Sequence, residues 1–304
     1  VNRPVTPPVR TAATFQQRFD ELITSNPMMI EVTRFKRKFL NISGNNTVNV
    51  AVMVLFAVVY LAILALVFSA NGYLQPNVLI NLQLVVVCFL VPSMFHGAIA
   101  GERERRSWDL LLVAPISKAQ IVVGKFFAAV ATLFVAIGAC ALPISIAAAM
   151  YAGRNPENAR FNPVGVVLAQ QLVVFAFGVA LAAFTILFSA RVRRGLTALG
   201  VVFGLQTLFL VVLPIFVGLM GGGGYDQVMT DFAFFLHPFY TLSKMEPSWQ
   251  NSSQSQTFSP WLWGSPQILI YLGLAAVFLQ WAIATLYYAE NDVKFIPDKK
   301  KADA

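Results

Sequence analysis

The densest chemistry in this chain is ionic. Glu102, Arg103, Glu104, Arg105 and Arg106 set two acids against three arginines in five consecutive positions, between two long runs of Val, Leu, Ala, Ile and Phe. Charges are not held cheaply in hydrocarbon, so this segment must emerge at a membrane face. From Glu102 onward the residues suit a helix, with Glu102 and Arg106 spaced for an i,i+4 ion pair. Trp108, Leu111 and Leu112 add an apolar face at i, i+3 and i+4, with Asp109 beside it. Pro115 ends the helix, and Ser117 with Gln120 three positions on matches a capping box that starts the next one. The spacing predicts a hairpin of span, short helix, tight break and span. Force applied to such a short helix moves both spans.

The elements that hold this hairpin are membrane helices. Of 304 residues, 57% are hydrophobic and 12% charged, against about 25% charged in a typical soluble domain. A helix needs roughly 20 apolar residues to cross the hydrocarbon core. Six runs qualify: Val48–Ala70, Val78–Ala100, Phe126–Tyr151 within a helix beginning near 120, Val164–Ala190, Leu196–Met220 and Pro266–Ala289. None contains Asp, Glu, Lys or Arg. The runs are continuous and do not alternate, which favours helices over barrel strands. The expected fold is therefore an all-α integral membrane protein of six spans (48–70, 78–100, 120–151, 164–190, 196–220 and 266–289). A segment 1–47 precedes the domain 48–290, and a tail 291–304 follows it. No signal peptide is expected, because the first apolar run begins too far into the chain and is too long.

Basic residues set the orientation. Seven Lys and Arg lie before the first span, five in the second connection, three in the fourth and four in the tail; only Arg154, Arg160 and Lys244 lie on the opposite set of loops. The positive-inside rule then makes both termini and the Glu102–Arg106 loop cytoplasmic, as in a bacterial inner membrane. The same topology explains the net charge of +8 without nucleic acid. In the N-terminal segment, Asn26 can cap a helix with Pro27 at its first position. Met28, Val32, Phe35 and Phe39 form its apolar stripe, and Arg34, Arg37 and Lys38 lie away from it. This predicts a basic amphipathic helix along the inner leaflet, or packed on the protein. The fifth connection opens with Gly221–Gly224, and its apolar stripe Val228, Phe232, Phe235, Phe239 and Leu242 predicts two short helices in the outer leaflet or capping the spans.

Other polar residues have two readings. Asn81, Gln83, Gln170, Gln171, Gln206 and Gln280 lie in spans; they can line a pathway or hydrogen-bond neighbouring helices. Pro92, Pro143 and Pro214 are expected to kink their helices. Gly200 and Gly204 allow close helix contact, and His96 and His237 read as structural. Cys88 and Cys140 sit in apolar runs with no metal-ligand spacing around them. No Ser/His, Asp/Asp or His-x-x-x-His pairing occurs within the spans, which argues against an intramembrane enzyme. An ion-coupled secondary transporter is the main alternative, but such carriers place ionisable groups inside spans. A non-transporting membrane scaffold is a further alternative.

The stretch ERERRSWDLLLVAPISKAQIVVGK resembles the signature of permease subunits of ABC transporters of the type-two exporter family. In that family an acidic-basic cluster, a Leu-rich helix, a Pro-hydrophobic-Ser turn and a Gly-Lys follow the second span. Asn26–Phe39 resembles the family's interfacial helix before the first span. The resemblance implies a path built by two permease subunits, the second the same or a related chain, above two separate ATP-binding subunits. It implies that Glu102–Leu112 is a coupling helix seated in the ATPase, and that Arg191, Arg193 and Arg194 make a second contact. It also implies that ATP and magnesium belong to the partner and that this chain binds no cofactor of its own. In keeping with this, the sequence has no GxxxxGK[ST] phosphate loop.

Overall fold

The computed structural model describes residues 16–17, 20–29, 46–71, 73–105, 107–108, 115–154, 162–220, 234–245 and 260–294. Among these the regular structure is entirely helical. A π-helical turn Asp20–Thr24 and a 3-10 turn Pro27–Met29 come first. Helices α1 (Asn46–Ser69), α2 (Pro76–Phe95), α3 (Ala100–Glu104), α4 (Lys118–Arg154) and α5 (Pro163–Arg191) follow. After them come α6 (Gly195–Thr207), a π-helical turn Leu208–Val212, α7 (Leu213–Met220), α8 (Pro238–Lys244) and α9 (Pro260–Lys294).

Five stretches are long and apolar enough to cross a membrane: Pro76–Glu104, Lys118–Arg154, Pro163–Arg191, Gly195–Val217 and Gly264–Tyr287. The first expected run is helical too, as α1, with its shorter apolar part at Ala57–Ser69. The expected second span lies within the stretch Pro76–Glu104, where α2 passes through a turn over 96–99 into α3. Pro238, which interrupts the apolar stripe of the fifth connection, opens α8, with His237 in the preceding extended position, where a missing N–H is harmless.

Helix α5 is the centre of the bundle. Its apolar window is 78% buried, against 6% for Gly195–Val217. Small residues make this possible, because lipid supplies no hydrophobic drive and helices associate through close van der Waals contact. Ala169, Ala176, Ala180, Ala182 and Ala183 are buried around α5. A Cβ on Gly178 would lie 3.2 Å from Leu133 and 3.3 Å from Val87. Helices α9, α4 and α2 pack against α5, while α1 touches the bundle through α4.

Three of the span prolines, Pro92, Pro143 and Pro214, explain several cross-helix contacts. Proline has no N–H, so the carbonyl four residues earlier loses its helical partner. In hydrocarbon no water can replace it. For Pro92 that carbonyl is Cys88, and Gln206 Nε2 donates to it at 3.0 Å. For Pro143 it is Ala139, which accepts from Tyr60 Oη at 3.1 Å. For Pro214 it is Leu210, and His237 Nε2 lies 3.2 Å away. Only a protonated Nε2 can satisfy a carbonyl, so that contact sets the His237 tautomer. Each gap in a helix ladder is thus closed by a side chain from a different element.

The segment 234–245 is held from below in the same manner. Gln267 Nε2 donates to Phe235 O at 2.6 Å, Tyr271 Oη to Leu236 O at 2.8 Å, and Gln170 Nε2 to Leu242 O at 3.3 Å. Tyr271 lies about 16 Å along α9 from Pro260, so the segment descends between the helices instead of resting on their ends. At the same end of the bundle, Arg154 clamps the 70–75 turn. It donates to Asn71 O at 3.1 Å and stacks 3.6 Å over the Tyr73 ring. Asn71 has φ of 46° there, a left-handed conformation that asparagine tolerates better than most residues.

Candidate functional site

The charged hairpin sits where α2, α4, α5 and α6 converge. Its entry is fixed by Ser189, a fully buried hydroxyl on α5 that accepts from the N–H groups of Ile99 and Ala100 at 2.9 and 3.0 Å. Those are orphan donors at the start of α3, so a residue of another helix acts as the cap. Ser189 was not among the residues singled out in the sequence. Nothing local marks a serine near a helix C-terminus as a cap for a distant helix.

Each of the next three charges then finds a partner on a different helix. Glu102 Oε1 pairs with Lys125 Nζ of α4 at 2.6 Å, and the lysine side chain is 7% exposed. The other carboxylate oxygen, Oε2, is buried without a partner among the described residues. Arg103 Nη1 donates to Ala190 O at 2.7 Å, at the C-terminal end of α5, where the helix dipole favours a cation. Its guanidinium also lies 5.2 Å from the Trp108 ring. Glu104 Oε1 accepts from Gly195 N at 3.1 Å. Arg194, in the N-cap position of α6, offers no side-chain cap, so Glu104 supplies the negative charge this helix start favours. Gly195 makes that approach close, since a Cβ there would lie 3.2 Å from the His96 ring. His96 Nδ1 faces the carbonyls of Ser93 and Pro92 at 2.9 and 3.2 Å, a structural setting.

Within the expected cluster, the partly buried Glu102 and Arg103 face their own bundle, while Glu104 is exposed and still reaches Gly195 N. Arg105 is exposed, and so are Arg193 and Arg194. Arg191 is exposed as well and lies 4.1 Å over the Trp281 ring. Arg106, Asp109, Leu111 and Leu112 lie outside the described residues. The Glu102/Arg106 spacing thus has no described pair, and the described partner of Glu102 is Lys125.

The capping box reads as expected. Ser117 N donates to Gln120 Oε1 at 2.8 Å and Gln120 N to Ser117 Oγ at 3.2 Å. Gln120 also receives the N-terminal segment. Asn26 Nδ2 donates to its carbonyl at 2.9 Å, and Gln120 Nε2 to Glu21 O at 3.0 Å. Asn26 Oδ1 accepts from Met28 N at 2.9 Å, closing the turn that Pro27 opens. Met28 is buried over Gly124, where any Cβ would collide with its own. The segment is thus bolted to the first two turns of α4. The remaining interfacial residues Val32, Arg34, Phe35, Arg37 and Phe39 lie outside the described residues.

The span amides mostly bridge helices. Gln83 and Gln171 donate to each other at 2.8 Å in both directions. Asn81 turns back to Asn77 on its own helix. Gln170 and Gln206 make the carbonyl bonds described above, and Gln280 is exposed. A pathway lined by these groups would have to break those bonds.

The described residues thus form a helical, multi-pass bundle whose charged hairpin is tied to α4, α5 and α6. The family model described as ABC-2 family transporter protein matches residues 71–293, and the chain belongs to that family. No curated protein matches it. The protein is a membrane permease of an ABC transporter, a transport subunit and not itself the ATPase.

Proposed function

We propose that this chain is one membrane half of an ATP-driven exporter. It crosses the cell membrane, of the bacterial inner-membrane type, six times, with α1 as the first span and both termini cytoplasmic. Residues 1–47 form a cytoplasmic and interfacial segment, 48–290 the transmembrane domain and 291–304 the tail. Two separate ATP-binding subunits, carrying ATP and magnesium, dock beneath two permeases. The exposed Arg105, Arg193 and Arg194, with Arg106 and the Trp108–Leu112 face, meet the motor. Glu102, Arg103 and Glu104 pass its movement on.

The observation that carries this reading is the division of labour within one short loop. Three consecutive charges contact the start of α4, the end of α5 and the start of α6. A push on α3 is therefore felt directly by α4, α5 and α6. For the second permease, the support is an open surface: nothing lies within 4 Å of where a Cβ of Gly200 or Gly204 would be. That leaves α6 free to meet another helix closely.

The test is co-purification followed by uncoupling. Extracted in mild detergent, the protein retains a phosphate-loop ATPase; a preparation that never does so defeats the proposal. The double variant Arg105→Glu/Arg106→Glu folds as the wild type does and loses transport-coupled ATPase stimulation by about ten-fold or more, as expected for two inverted interface charges. Unchanged stimulation would remove the loop from the motor contact.

A further inference from the structure

One cation at this end of the bundle faces sideways. Arg191, the last residue of α5, is exposed, yet its guanidinium is folded back 4.1 Å over Trp281 of α9, a ring that keeps 47% of its surface open. Leu269, Leu272, Gly273, Ala276, Val277, Gln280, Trp281 and Tyr287 are exposed on this side of α9. At 100° per residue, Gln280 lies within about 20° of both Gly273 and Tyr287. It therefore occupies the middle of the face that α9 turns to the acyl chains.

Depth makes this unusual. Lys118 lies 4.9 Å over the Tyr287 ring, and such a cation–aromatic pair marks the headgroup level. Trp281 precedes Tyr287 by six residues, about 9 Å of helix, so Arg191 is held on the acyl side of that level. Basic side chains near span ends ordinarily reach outward to water; this one reaches inward. Among the described residues, Arg191 has no carboxylate partner, and neither the Gln280 amide nor the Trp281 indole N–H has a hydrogen-bond partner. Charged and polar groups at such a depth are costly without a counterpart. The lipid phosphate, in the headgroup layer just above, is the bilayer anion nearest to it.

We infer that the junction of the α5 end with α9 is a binding site for an anionic glycerophospholipid of the inner leaflet. Arg191 takes the phosphate while stacked on Trp281, and Gln280 donates to an ester carbonyl nearer the acyl chains. Arg191 then leaves the set of motor-facing residues, and Arg193 and Arg194 remain in it. The inference rests on the orientation proposed above, which puts this end of the helices in the inner leaflet.

The test uses the full-length protein in mild detergent, titrated with phosphatidylglycerol or phosphatidylcholine as mixed micelles. Thermal unfolding and native mass spectrometry read the response. Phosphatidylglycerol stabilises the wild type and is retained on it more than phosphatidylcholine. Arg191→Gln and Trp281→Ala weaken that retention by about five-fold, the size of one basic contact to an anionic surface. Gln280→Leu weakens it by about two-fold. Arg191→Lys, which keeps the charge, retains part of the preference and guards against a folding defect in Arg191→Gln. Equal responses to the two lipids overturn the inference, as does a response unchanged in both Arg191→Gln and Trp281→Ala. An equal effect from inorganic phosphate alone also overturns the assignment to lipid. ATPase retention, measured on the same samples, is unaffected by the four substitutions. Its loss would return Arg191 to the motor contact, and a failure to retain ATPase in the wild type would leave the lipid result standing.

Discussion

Lys125 and Glu102 form an ion pair at the foot of the bundle, with the lysine almost fully buried. A buried pair of this kind contributes little net stability over an apolar replacement, but removing one partner strands the other. Lys125→Met is therefore expected to destabilise the protein by about 3 kcal/mol, read as a lowered thermal midpoint in detergent. Adding Glu102→Leu should recover most of that loss. A double variant no more stable than Lys125→Met would show that Glu102 has another partner of equal weight. What selection gains from the pair is geometry, because it holds α3 against α4 in one register.

Among elements, the proline gaps are the most specific feature. If Gln206 serves the carbonyl that Pro92 orphans, the two residues must be coupled. Gln206→Leu should cost about 1 kcal/mol in the wild type and much less in a Pro92→Ala background, where residue 92 can again donate to Cys88 O. Additive costs in that cycle would sink the account. The contact at Leu210 yields a pH prediction. Burial pushes the His237 pKa down, opposed by its bond to the Leu210 carbonyl. With the folded value below the unfolded one, the unfolded chain binds the extra proton first. Stability present near neutral pH is then lost as pH falls through the ordinary histidine range, about 6.5, toward the folded value. His237→Gln, which can still donate, should show a flatter dependence of thermal midpoint between pH 8 and 5; a slope equal to the wild type's would assign the dependence elsewhere. His237 looked unremarkable in the sequence, because its partner becomes evident only once Pro214 and the 234–245 segment are brought together.

For the whole molecule, the bundle is asymmetric about α5. The hairpin, N-terminal segment and α6 start gather at one end, and the 234–245 segment is driven between the helices at the other. The proposed orientation makes the first end cytoplasmic. Arg105→Cys should react with an impermeant thiol reagent only after the membrane is opened, whereas Gln75→Cys, exposed at the other end, should react in intact cells. Labelling of both from one side would defeat the six-span topology. On the proposed function, transport needs no ionisable group inside the spans, because the energy enters through the loop.

Composition and periodicity alone determined that the chain is helical and membrane-embedded, roughly where its spans run, and that Ser117 and Gln120 begin one of them. These are local properties, set by the cost of charge in hydrocarbon and by hydrogen bonds within one turn. The charge cluster was visible in the sequence, and its role as the motor contact is the proposal made above. That Glu102, Arg103 and Glu104 each take a partner within the bundle was not visible, since it depends on Lys125, Ala190 and Gly195, up to 91 residues away. The same holds for Ser189, for the partners of the three prolines and for the stacking of Arg191 on Trp281. A carbonyl orphaned by proline is evident in the sequence, but the group that satisfies it is chosen only when the helices pack.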